Sequence, residues 1–138
     1  MTDRIPSPHQ CLLPEGWKRP KGYANGVAAM GRTVFVAGMV GWDANERFAS
    51  RDFASQTRQA LLNALAVLAQ AGAGPQHITR MTWYVTSRAD YKAAGPSIGQ
   101  IFRELIGNYS IAMSAVEVSA LMEDEAVVEI EITAVVPE

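Results

Sequence analysis

One α+β domain in the order ββαβαββ, its helices covering one face of a mixed sheet, is the fold this sequence predicts. Two stretches place apolar residues at every third or fourth position, the repeat of a helix buried on one side. Around them lie five shorter stretches that are rich in β-branched and aromatic residues or alternate apolar with polar, as strands do. The third observation is length: 138 residues suit a single core.

The elements follow in order. Residues 1–21 hold four of the seven prolines, Pro6, Pro8, Pro14 and Pro20, which predicts an irregular, extended arm ahead of a single domain over 22–138. Residues 24–30 and 33–40 read as two strands around Gly31-Arg32, the second apolar on both faces and therefore central in a sheet. A polar turn, Asp43 to Glu46, leads to a helix on which Phe53, Thr57, Leu61, Leu65, Leu68 and Ala71 share a stripe. Ser50 or Asp52 caps its start and Gly72 its end. In the strand over 77–86, Met81, Trp83 and Val85 alternate with Thr82, Tyr84 and Thr86. A second helix spans roughly 90–106 and is interrupted at Gly95-Pro96. Strands over 112–121 and 126–136 flank an acidic turn, and in the last of them Val128, Ile130 and Ile132 oppose Glu129, Glu131 and Thr133. Helices on one sheet face leave the other bare, which predicts self-association.

Composition narrows the function. Hydrophobic residues make up 49% of the chain and charged ones 19%, with a formal net charge of −2. The long-range attraction that concentrates a protein on nucleic acid or an anionic membrane is missing, and the one basic cluster, Lys18, Arg19 and Lys21, reads as a solvated loop. Cys11 is the single cysteine, so no disulfide forms within the chain. No apolar signal-peptide core and no apolar run of about 20 residues is present, which predicts a cytoplasmic protein without membrane contact.

The segments GYANGVAA (22–29), VFVAGMVGWD (34–43), QTRQALLNALAVLAQAGAG (56–74), ITRMTWYVTSRADY (78–91), AMSAVEVSAL and VEIEITAVVP resemble the YjgF/RidA family of small enamine/imine deaminases, in the family's order. The resemblance implies a chorismate-mutase-like subunit assembled as a homotrimer, with small-molecule clefts between neighbouring subunits and neither metal nor organic cofactor. In such deaminases an arginine binds the substrate carboxylate, and a glutamate on the last strand helps water attack a C=N carbon. That glutamate falls on Glu129, and Tyr23 takes the place of the family's pocket tyrosine.

The departures matter as much. The family's serine falls on Ala37, its asparagine on Gly95, its frequent pocket cysteine on Ala115 and its arginine on Met113. An arginine grips a carboxylate through two parallel hydrogen bonds, whereas methionine is an apolar thioether that fills space. One hydrogen bond to a charged group contributes roughly 1.5–3 kcal/mol, so losing the fork weakens anion capture by at least about tenfold. The expectation is a deaminase turned toward neutral or weakly anionic enamines or imines, or else a metabolite-binding or regulatory trimer without turnover. Glu129 accordingly reads either as a general base for water or as a structural carboxylate at a subunit boundary.

Other groups were weighed against plainer roles. Arg32, Arg80 and Arg103 could replace the missing cation but read as solvated surface. Trp42, Trp83, Tyr84 and Tyr109 could stack on a flat ligand but equally suit core or interface positions. Trp17 would pin the arm. His9 and His77 stand far apart in sequence without a third ligand beside them. Members of the resembled family are sometimes labelled endoribonucleases; the charge balance and the want of a basic, aromatic-lined groove speak against that activity.

Overall fold

A computed structural model of the chain describes residues 8–138. Its elements are β1 (Gln10–Leu12), β2 (Gly26–Ala28), β3 (Arg32–Val40), α1 (Phe53–Gln70), β4 (Ile78–Val85), α2 (Arg88–Ala93), α3 (Gly95–Leu105), β5 (Ala112–Glu117) and β6 (Val128–Val136). The four long strands form one mixed sheet in the order β3-β6-β4-β5. β6 runs antiparallel to both neighbours, and β5 lies parallel to β4 as the chain returns through α2 and α3.

Alternation along the strands decides what lies beneath the helices. On β6, Val128, Ile130, Ile132 and Ala134 are buried, and on β4 so are Met81, Trp83 and Val85. They meet Phe53, Ala60, Leu61, Ala64 and Leu68 of α1 and Ile101 of α3 in one core. The opposite face carries Phe35, Tyr84, Val116, Glu129 and Glu131, with no element of the described chain upon it; Phe35 is 78% exposed and Val116 45%. A bare face of this kind is what the sequence predicted.

α1 begins as expected, with the Asp52 side chain accepting from the Ser55 amide at 2.9 Å. Its buried face also carries a polar residue that apolar periodicity does not detect. Gln56, 1% exposed, donates through Nε2 to the carbonyls of Ser50 and Glu125 and accepts from the Val127 amide. It ties the loop before α1 and the turn before β6 to the helix. Asn63 does similar work, donating to the carbonyls of Val40 and Trp42.

Several expectations are corrected, beginning with β3, which its apolar faces placed at the centre of the sheet and which forms an edge beside β6. The arm is not irregular throughout: Gln10–Leu12 pairs antiparallel with Gly26–Ala28, because the proline-free stretch between Pro8 and Pro14 keeps the amides that a ladder needs. For the same reason β2 belongs to this small ribbon and not to the main sheet; only Ala24 reaches that sheet, by a bridge to Ala112 of β5. The second helix is interrupted where the sequence placed the break, dividing at Ala94 into α2 and α3, with Pro96 in the first turn of α3 where its missing N–H costs no helix bond. Trp17 does not pin the arm, being 62% exposed.

Candidate functional site

A cavity of about 740 Å³ opens between the start of β5 with the loop before it, one side of α3 and the segment leading into β2. That volume falls in the range of small-molecule sites. Tyr23, Gly95 and Met113, each singled out from the sequence, line it. Met113 is paired in register with buried Met81, so it points to the helix side of the sheet and packs against the core while bordering the cavity.

The other three lie elsewhere. Ala115 is two residues further along β5, on the same face as Met113 but outside the cavity wall. Ala37 and Glu129 sit across the sheet. The β3–β6 register shifts between Val36 and Met39, so Ala37 and Gly38 form a bulge opposite Glu131, within reach of the side chain of Glu129, which pairs with Val40. A Cβ on Gly38 would collide with Glu129 Oε2 and stand 2.8 Å from its Cδ, so the carboxyl group lies directly over the glycine. Glu129 pairs with Tyr84 while Ile130 pairs with Trp83, which puts Glu129 on the bare face and the cavity on the other. A single chain therefore does not bring Glu129 to Met113.

The bare face has its own polar pair. Tyr84 donates to Glu131 Oε1 at 2.7 Å, and that bond, followed by burial and the charge of Glu131, holds the phenol above its ordinary pKa. Tyr84 is thus engaged with a carboxylate, and Trp42 packs against Phe48 at 5.7 Å. Trp83 and Tyr109 are the aromatic candidates that do border the cavity.

Aromatic rings dominate the cavity's inner wall. Trp83 meets Tyr91 edge-on at 5.9 Å and lies 6.5 Å from Phe102. Burial raises the Tyr91 phenol pKa. The Trp83 indole N–H is buried with no hydrogen-bond partner among the described residues. The rim is basic, with Lys21, Lys92 and Arg103 and no carboxylate among the lining residues. A basic, aromatic-lined recess therefore exists where the sequence predicted none, although its size is that of a metabolite. Of the three arginines weighed as replacement cations, Arg32 donates to the Ala71 carbonyl at the end of α1, and Arg80 is exposed on β4; Arg103 is the one at the cavity.

His9 and His77 do meet, but through the backbone: His9 Nε2 donates to the His77 carbonyl at 3.1 Å. His77 Nδ1 accepts from the Gly74 amide at 3.0 Å, which requires the neutral ring. Among the described residues no group of three or more His, Cys, Asp or Glu is placed to hold a metal ion. Nor is any described helix long and apolar enough to cross a membrane.

Comparison with known proteins agrees with this architecture. The family profile described as Endoribonuclease L-PSP matches residues 17–136. A RutC family protein of Synechocystis sp. is 32% identical over 139 residues, covering 99% of both chains. Among solved structures, a Yersinia pestis protein of the conserved Rid family, itself of unknown function, superposes with a TM-score of 0.80 at 34% identity, covering 94% of this chain and 99% of that one. The Escherichia coli protein TdcF, solved with bound serine, gives a TM-score of 0.67 at 26% identity over 91% of this chain and 98% of its own.

Proposed function

Because the chain belongs to the Endoribonuclease L-PSP family, also known as YjgF/RidA, we propose that it is a small-molecule hydrolase that converts an enamine or imine to a carbonyl compound and ammonia. The reading rests on a cavity of metabolite size lined by Tyr23, Gly95 and Met113, with Glu129 held over the Gly38 bulge on the uncovered sheet face. Those groups lie on opposite sides of one sheet, so the complete site forms between two copies, within a homotrimer. One chain supplies the cavity and its neighbour the carboxylate.

In that arrangement Glu129 takes a proton from water as the oxygen adds to the C=N carbon. That proton passes to nitrogen, giving a carbinolamine, whose hydroxyl proton then moves through Glu129 to the same nitrogen as the C–N bond breaks, so that ammonia leaves and the carbonyl forms. Tyr23 orients the substrate and Met113 packs against it. A net charge of −2 and a cavity of this size favour a metabolite over nucleic acid.

The test is ammonia release from enzymatically generated 2-imino acids and from a neutral imine, with wild type and Glu129→Gln compared. Wild type is expected to exceed the buffer rate, and the variant to lose about 100-fold or more. The apolar Met113 favours a second reading, a binding or regulatory trimer; a wild type that releases no ammonia yet gains thermal stability with such a ligand would establish it.

A further inference from the structure

The cation absent from β5 has a counterpart across the cavity. Gly95, Gly99 and Arg103 stand four residues apart on α3 and form one row on the wall facing Met113. Arg103 runs back along that row: its Nη1 lies 3.4 Å from where a Cβ on Gly99 would stand. The absent side chains at Gly95 and Gly99 leave room for the guanidinium and for a ligand beside it.

No carboxylate among the described residues bonds to that guanidinium, although Glu104 beside it feels its charge. Adjacent Glu104 is held by Arg58 at 2.8 Å and by Gln100 at 3.3 Å, and among the described residues Arg103 makes no ion pair. Lys92 and Lys21 on the same rim add positive potential that no lining carboxylate offsets. Behind them stand the rings of Trp83, Tyr91 and Phe102, an apolar surface on which a flat ligand body can pack.

We propose that Arg103 is the specificity-determining cation of this cavity, and that the cavity takes a small planar carboxylate with its charge at the α3 wall and its apolar body against Trp83 and Met113. This rests on the reading of the cavity as the ligand site and revises one consequence of Met113: the anion is gripped from the helix, not excluded. An apolar strand wall and a charged helix wall would select a carboxylate bonded to a flat, unsaturated body over a compact polar one.

Binding separates this from turnover. The probes are 1-naphthoate and its neutral counterpart 1-naphthamide, titrated into wild type, Arg103→Gln and, as a control on an exposed arginine away from the cavity, Arg51→Gln. Calorimetry and the Trp83 indole N–H resonance supply the readouts. Wild type should bind the carboxylate at least about tenfold more tightly than the amide, with the Trp83 resonance shifting. Arg103→Gln should bring the two affinities together mainly by weakening the carboxylate, while Arg51→Gln keeps the preference. Equal binding of both probes to wild type, or a preference that survives in Arg103→Gln, overturns the proposal. Binding of neither probe removes it as well. Carboxylate preference without ammonia release from any imine would leave the proposal standing and sink the deaminase reading alone, whereas turnover without the preference would do the reverse.

Discussion

At the scale of single residues, the placement of Glu129 depends on what is missing from Gly38. The glycine permits the carboxyl group to lie against the backbone of the β3 bulge, so its smallest substitution displaces the group proposed to activate water. Gly38→Ala should leave the fold intact, since Gly38 is exposed, yet lower kcat for ammonia release by at least about tenfold, because misplacing a catalytic group by about an ångström costs on the order of 100-fold. Circular dichroism checks the fold and the ammonia assay the rate; an unchanged kcat would mean that the carboxylate acts from elsewhere. Arg103 teaches the complementary lesson. Arg103 is exposed, as the sequence predicted, but apolar periodicity cannot register a row made of two glycines and an arginine, so the cavity that this exposed side chain borders was not legible.

At the scale of elements, two devices hold the loops around the sheet. Gln56 makes three hydrogen bonds from a buried position on α1, and Gln56→Ala leaves two carbonyls and an amide without that partner. At about 1 kcal/mol for each bond the expected loss is about 3 kcal/mol, read from chemical denaturation. The turn before β4 is closed by neutral His77. Burial, then the nearby charge of His9 and of Arg32, lowers its pKa below the ordinary value of about 6.5. Stability from this ring is therefore present above that ordinary value and lost as the pH falls through the lowered one. Thermal melts between about pH 7.5 and 5 should show a fall that is shallower in His77→Gln.

Much of this level was legible in advance. The alternation in Val128–Thr133 gave β6 its two faces, and the stripe from Phe53 to Leu68 gave α1 its buried side. Gln56 was not legible because a buried amide looks, in sequence, like a solvated one. The short ribbon of β1 and β2 was missed because proline density in the arm outweighed the few residues free to pair.

At the scale of the molecule, the uncovered sheet face decides how the chain is used. Phe35 and Val116 expose apolar surface there beside Glu129, and fully burying one phenylalanine contributes roughly 1.5–3 kcal/mol. Light scattering is expected to give three times the 14.9 kDa mass of one chain. Phe35→Asp would bury a charge at that boundary and should yield smaller species with reduced ammonia release. A monomeric wild type would remove the shared site.

What the sequence determined by itself was periodic: which stretches form the long helices and strands, and which of their apolar residues face the core. Those follow from bond geometry, 3.6 residues to a helical turn and two to a strand repeat, and need no knowledge of neighbours. Only the tertiary structure decided which walls face one another. The packing of Phe102 of α3 against Trp83 of β4 leaves Arg103 and Met113 on one cavity, and strand alternation keeps Glu129 on the far side of the sheet. Such meetings depend on how elements cross and pack, a property that no local repeat encodes.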